Sequence, residues 1–126
     1  MAKEKFELEF LVKSSPNILY NRLATPSGLS EWFADNVNIK DDHFFFIWDD
    51  AEEEAILLDK KAGESIKFQW TEDEGTDCFF EFRIKIDKLT KEAALIITDF
   101  AEPDEKESAS MLWESQVHEL LHILGS

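Results

Sequence analysis

The order of its secondary-structure signals limits the folds open to this chain more than any other feature. Residues 14–34 read SSPNILYNRLATPSGLSEWFA, which predicts a short helix, a break, and a second short helix ending in Trp32-Phe33-Ala34. The alternating apolar and polar residues of 6–13 predict a half-buried strand before them. A strand-rich middle and one long C-terminal helix follow. This order indicates a sheet with a ligand-sized gap under its last helix.

The ends of the two short helices are marked by small polar residues, proline and glycine. We expect Ser14 or Ser15 to cap the first helix, because a side-chain oxygen there can accept a free backbone N–H. Pro26 and Gly28 are predicted to end this first helix. Ser27 is expected to cap the second helix.

Six further strands are predicted between Ala34 and the last helix. The breaks between them are short, acidic or glycine-containing, which favours antiparallel neighbours. Asp41-Asp42 fits a two-residue hairpin turn. The predicted strands are residues 37–40, 43–48, 55–61, 66–71, 78–88 and 93–101.

The last helix is expected to begin at a cap on Ser108 or Ser110 and to run to about Leu124, where Gly125 can end it. One narrow apolar stripe on it is fit to lie across a sheet. The stripe consists of Trp113, Val117, Leu120, Leu121 and Leu124. The predicted fold is therefore α+β, with a curved antiparallel sheet and helices gathered on one face. We expect residues 1–126 to form a single domain.

Charge and cysteine content limit the classes of partner. The chain carries 28 acidic and 13 basic residues, for a net charge of -15. Nucleic acid and anionic membrane surfaces are therefore poor partners, because their phosphates would be repelled. Cys78 is the single cysteine, and no signal-peptide or membrane-spanning stretch is found, so we expect a cytoplasmic protein.

The chain resembles the START-like superfamily, also called SRPBCC or helix-grip proteins, over essentially its whole length. The closest branch is similar to activators of the ninety-kilodalton heat-shock chaperone and their small bacterial relatives. The residues that carry the resemblance are the first strand, Ser15-Pro16, Leu23, Thr25-Pro26-Ser27-Gly28-Leu29, Trp32-Phe33-Ala34, and Trp113 with the leucines of the final helix.

The resemblance implies the helix-grip fold, with six or seven strands, two short helices after strand one, and a long helix packed across the sheet. Members of the superfamily bind lipids, hormones or polyketides, cyclise aromatic intermediates, or assist a chaperone. No catalytic residue of the cyclases can be matched in this chain, so the resemblance assigns none.

His118-Glu119-Leu120-Leu121-His122 matches the H-E-x-x-H string of zinc metalloproteases. At about 100° per residue, both histidines fall on the side of the helix opposite the apolar stripe. A zinc helix turns its ligands inward to a cleft, whereas these are predicted to face water. We therefore reject the protease reading and predict no metal, no cofactor and no catalytic residue.

Aromatic side chains on the inner faces of the strands could line a ligand cavity, with Trp32 and Phe33 at its mouth. The alternative is that the rings simply fill the space as core. Whether Phe44, Phe46 and Trp48 or their neighbours face inward is open, because a one-residue shift exchanges the faces of a strand. The candidates are Trp32, Phe33, Phe46, Trp48, Phe68, Trp70, Phe80, Phe82 and Trp113.

Three acidic clusters lie at residues 49–54, 72–77 and 99–107. We interpret them as solvated turns that protect the ends of the sheet, with a surface for a basic partner as the alternative.

The sequence favours a non-enzymatic domain that binds a small hydrophobic or amphipathic ligand between the sheet and the last helix. A protein-interaction or chaperone-linked module is the alternative. A cyclase- or hydrolase-type enzyme is the weakest hypothesis, because it needs ionisable groups on the inward faces, and those faces are predicted to be almost entirely apolar. Monomer and homodimer are both compatible with the sequence.

Overall fold

Seven strands form one antiparallel sheet, and the first strand pairs with the last. The structure, a computed structural model, describes residues 2–49 and 51–125. The order across the sheet is β1-β7-β6-β5-β4-β3-β2. The strands are β1 (Glu4–Val12), β2 (Asn36–Lys40), β3 (His43–Trp48), β4 (Ala51–Lys61), β5 (Ser65–Trp70), β6 (Phe80–Ile86) and β7 (Ala93–Ala101).

Two short helices, α1 (Pro16–Ala24) and α2 (Pro26–Trp32), follow β1, and one long helix, α3 (Lys106–Ile123), follows β7. The helix α2 contacts both β2 and α3, so it closes one end of the space beneath the long helix. The curved sheet and the long C-terminal helix confirm the predicted α+β helix-grip fold. None of the helices formed by residues 2–49 and 51–125 has the length and apolar character needed to cross a membrane.

The strands β3 and β7 have the predicted bounds, whereas β4 and β6 differ from them. β4 begins at Ala51 rather than at residue 55, because Asp49 adopts a left-handed φ of 42° and lets Ala51 pair with Trp48. Part of the acidic cluster at residues 49–54 is therefore strand, and its interpretation as a solvated turn is wrong there. β6 begins at Phe80, two residues later than predicted, and ends at Ile86, two residues earlier than predicted.

A single threonine joins α1 to α2. Thr25 Oγ1 donates a hydrogen bond to the Asn21 carbonyl at 2.8 Å and accepts one from the Gly28 backbone N–H at 2.9 Å. Thr25, not Ser27, therefore caps α2, and that prediction was wrong. Gly28 lies inside α2 rather than in a break between helices. The close approach of α1 requires a glycine there, because a Cβ would be 2.3 Å from the Asn21 carbonyl oxygen.

The predicted cap of α1 is confirmed, whereas the predicted caps of α3 are wrong. Ser15 caps α1, as predicted, by accepting the Ile18 backbone N–H at 3.2 Å. The helix α3 begins at Lys106, so the expected caps at Ser108 and Ser110 are wrong. A 3₁₀ turn at Pro103–Glu105 leads directly into α3 and removes the need for a serine cap.

Aromatic rings fill the middle of the space between the sheet and α3. Phe44 and Phe46 are at most 2 % exposed, so these residues of β3, rather than their neighbours, face inward. On α3, the predicted stripe packs on this core through its buried members Trp113, Val117 and Leu120. Neighbouring rings of the core lie 4.7–6.5 Å apart between centroids.

Candidate functional site

A cavity of about 870 Å³ lies at the end of the core, between the C-terminal end of α2, the ends of strands, and one face of α3. Its walls are apolar at the bottom and carry carboxylates toward the rim. It is lined by Ser30, Glu31, Trp32, Phe33, Ala34, Asp35, Trp48, Ala51, Glu53, Trp70, Asp99, Ala109, Leu112, Trp113, Gln116 and Glu119.

The nine aromatic candidates divide between this cavity and the core. Those that line the cavity are Trp32, Phe33, Trp48, Trp70 and Trp113. Those with no exposed surface, which belong to the packed core beneath it, are Phe46, Phe68, Phe80 and Phe82. The cavity interpretation and the core interpretation therefore each hold for part of this aromatic set. The inner rings fill the core, and the outer rings border the cavity.

Phe33 forms the floor of the cavity and ties three elements together. Its ring is 3 % exposed and stacks on Trp113 at 5.5 Å with an interplanar angle of 13°. Its backbone carbonyl accepts the indole N–H of Trp48 at 2.8 Å and the side-chain amide of Gln116 at 3.0 Å. The end of α2, the end of β3 and the middle of α3 are thereby fixed in position without any ligand.

Asp99 is the most enclosed carboxylate of the lining. Its Oδ2 accepts the indole N–H of Trp113 at 2.8 Å, and its Oδ1 accepts the Phe100 backbone N–H at 2.7 Å. Burial is the largest influence and raises the pKa of Asp99, although these two hydrogen bonds and the charge of Lys3 act in the opposite direction. The charge of Asp73 adds a small upward contribution to this pKa.

Sequence reasoning missed the two inward-facing carboxylates. Glu53 pairs with Phe46 across β3 and β4 and therefore shares its inward face. Asp99 continues the inward series of Leu95 and Ile97 on β7, and strand alternation in the sequence could have identified it. The expectation that the inward faces are almost entirely apolar is wrong at this end of the sheet.

The other acidic groups of the rim differ in their partners. Glu31 forms an ion pair with Arg22 at 3.1 Å, and Asp35 accepts the Asp49 backbone N–H at 2.8 Å. Partial burial, followed by the charge of Glu72, raises the pKa of Glu53. The only charge of a described residue that contributes to this shift is therefore the negative charge of Glu72.

The two histidines of the H-E-x-x-H string are not among the residues that line this cavity. His118 and His122 are exposed on α3, on the side away from buried Trp113, as predicted. Within residues 2–49 and 51–125, three potential metal ligands come together only at Glu102, Asp104 and Glu105, before α3. Neither histidine belongs to that group.

A family model described as a START-like superfamily domain matches residues 1–126. The chain belongs to the START-like superfamily. A protein of Bacteroides fragilis with a known solution structure is 39% identical to it, with 95% of this chain and 90% of that chain covered and a TM-score of 0.70. No match was found among curated proteins.

More distant START-like structures share the fold alone. The Aha1 dimer of Colwellia psychrerythraea is 14% identical, covers 96% of each chain and has a TM-score of 0.81. DynU16, from the dynemicin biosynthetic locus, is 12% identical with a TM-score of 0.81, and the match covers 99% of this chain and 48% of that one. Identities this low transfer architecture and not chemistry.

Proposed function

We propose that this START-like domain binds a small amphipathic molecule in the cavity beneath α3. The observation that supports this most is a cavity of about 870 Å³ whose floor is aromatic and whose rim is polar. That volume lies within the range of small-molecule sites, which are mostly apolar with a few polar groups that orient the ligand.

The rigidity of the floor supports binding rather than a simple packing defect. Trp48, Trp113 and Gln116 are held by hydrogen bonds to Phe33 or Asp99, so the cavity does not need to be ordered by the ligand. A preformed site loses less conformational entropy on binding, which favours affinity. An aromatic or aliphatic ligand would lie above the floor and against the exposed side chain of Leu112, with its polar end at the rim.

A protein-interaction module is the second candidate, and one observation favours it. Met111 and Leu112 on α3 are 63% and 62% exposed, and Leu112 also lines the cavity. A partner covering this pair would close the cavity mouth. Both roles are proposed for the cytoplasm, since Cys78 has no disulfide partner in the chain.

An enzymatic role is supported by one group only. Asp99 faces the cavity, and burial raises its pKa, which is the property expected of a general acid or base. Both of its oxygens, however, accept hydrogen bonds from Trp113 and Phe100. Its position suits a structural carboxylate, and we therefore favour binding without chemical change.

Native mass spectrometry of the purified protein, followed by a thermal-shift screen with fatty acids, aromatic metabolites and amines, tests the proposal. We expect at least one class to raise the melting temperature in a saturable manner. For a ligand at 100 times its dissociation constant, the stabilisation is about 2.7 kcal/mol. Failure of every class, with no bound mass in the purified protein, would contradict the binding role.

A further inference from the structure

The charged side chains among the described lining residues of the cavity are all acidic. Its lining includes five carboxylate side chains, and no lysine or arginine is among the lining residues that the structure describes. The carboxylates are Glu31, Asp35, Glu53, Asp99 and Glu119. One of them, Glu31, is already paired with Arg22, and Asp35 and Asp99 accept hydrogen bonds from backbone or indole N–H groups. Glu53 and Glu119 remain to face a ligand.

Glu53 lies between two tryptophans on the inward face of the sheet. Ala51 pairs with Trp48 on one side of β4, and Ala55 pairs with Trp70 on the other. Glu53 is two residues from each of these alanines, so it is the diagonal neighbour of both rings. Ala51, which is opposite Trp48, presents only a methyl group to the cavity that both residues line.

Trp48 and Trp70 offer ring surface to this space. Both are only partly buried, and their ring centroids are 6.3 Å apart with an interplanar angle of 55°. One face of Trp70 stacks on Phe80 at 4.7 Å, Phe46 packs edge-on against it at 5.6 Å, and part of its surface borders the cavity. Angled aromatic walls beside a carboxylate are the arrangement that attracts organic cations, because the ring faces carry negative electrostatic potential.

We infer that the ligand of this cavity carries a positively charged amine or quaternary ammonium group, which contacts Glu53 between Trp48 and Trp70, with its apolar part above the floor of the cavity. This inference rests on the proposed function and adds the charge of the ligand to it. An anionic ligand, such as a fatty acid, would bring its carboxylate against Glu53 and Glu119, and the described lining residues include no lysine or arginine to neutralise it. The elevated pKa of Glu53, caused by partial burial and then by Glu72, is consistent with a missing positive partner.

A matched series of probes with one apolar part tests the charge preference. 4-Phenylbutylamine, 4-phenylbutanol and 4-phenylbutyrate would be titrated into the ¹⁵N-labelled protein, with the indole N–H signals of Trp48 and Trp70 as the readout. We expect the amine to bind about tenfold more tightly than the carboxylate, with the alcohol between them. Raising the salt concentration should reduce the advantage of the amine.

A double variant and its matched control separate a local effect from net charge. Glu53→Gln with Glu119→Gln should reduce the ratio of amine to carboxylate affinity about threefold or more, with alcohol affinity unchanged. Glu52→Gln with Glu114→Gln removes the same charge from residues outside the cavity lining and should leave the ratio within twofold.

The outcomes distinguish this inference from the proposed function. Equal binding of all three probes, or tighter binding of the carboxylate, overturns the charge inference and leaves the ligand site in place. An equal fall in the ratio for both double variants also overturns it, since the preference would then follow net charge. Absence of binding by all three probes counts against the proposed function and, with it, the inference.

Discussion

The indole N–H of Trp113 donates a hydrogen bond to Oδ2 of Asp99 at 2.8 Å, and this contact joins α3 to β7 at the wall of the cavity. Because Trp113 also stacks on Phe33, the position of the cavity floor depends on the same ring. A carboxylate with a raised pKa thus holds the helix that covers the sheet. Protonation of Asp99 is therefore coupled to folding.

The first prediction concerns Asp99→Asn. Burial raises the pKa of Asp99 in the folded protein above its usual 3.8, so the folded state binds this proton more tightly than the unfolded state. The resulting stabilisation is present below pH 3.8 and is lost as pH rises through the folded pKa. Relative to Asp99→Asn, the wild-type free energy of unfolding should therefore fall across this range, as measured by urea denaturation at several pH values. A difference independent of pH would contradict the coupling.

Asp87 provides a comparison of opposite sign. Backbone N–H groups of Thr90 and Leu89 donate to its carboxylate and lower its pKa below 3.8. Its contribution is present above pH 3.8 and is lost as pH falls through the folded pKa. Urea denaturation of Asp87→Asn should therefore show a wild-type advantage that shrinks on acidification. If the difference in unfolding free energy between wild type and variant changed with pH in the same direction for Asp99→Asn and Asp87→Asn, the pH dependence would come from net charge.

Gly28→Ala should destabilise the junction of α1 and α2. A Cβ there would lie 2.3 Å from the Asn21 carbonyl oxygen and 2.7 Å from the Arg22 Cα, and backbone atoms cannot move aside cheaply. Overpacking lowers the free energy of unfolding by up to about 3 kcal/mol. The higher helix propensity of alanine offsets about 1 kcal/mol of this loss. We expect a net loss of about 2 kcal/mol by chemical denaturation. Ser27→Ala is the control, and equal stability of the two variants would contradict the steric argument.

Thr25→Ala removes one hydroxyl that serves both short helices. It loses the acceptor for the Gly28 N–H and the donor to the Asn21 carbonyl. We expect a loss of about 1 kcal/mol in the free energy of unfolding, whereas Thr25→Ser should retain most of the stability. An alanine variant as stable as the serine variant would show that the cap contributes little.

The overall architecture was predictable because strand alternation, helix breaks and the α3 stripe all act locally. The buried positions of Phe44 and Phe46 follow from hairpin register, which needs the structure to choose between the two faces. The predicted serine caps of α2 and α3 were wrong because Thr25 and the 3₁₀ turn at Pro103–Glu105 provide those helix starts instead.

The cavity was less predictable than the fold. Trp32 and Phe33 were expected at the mouth of the cavity, whereas the structure buries Phe33 at its floor, because the space that the rings leave depends on three-dimensional packing. Glu53 was assigned to a turn because a cluster of acidic residues disfavours a strand by propensity. Pairing of Ala51 with Trp48 extends β4 and overrides that preference, which brings Glu53 to the inward face.

The most direct test of the ligand site is the affinity of a neutral probe for a protein whose cavity has been filled. The dissociation constant of 4-phenylbutanol would be measured by NMR titration for the wild type, for Ala109→Trp on the cavity wall, and for Ser115→Trp on the exposed side of α3. The account predicts that Ala109→Trp weakens binding at least tenfold and that Ser115→Trp leaves it within twofold. Equal affinity of all three proteins would contradict a binding site in this cavity.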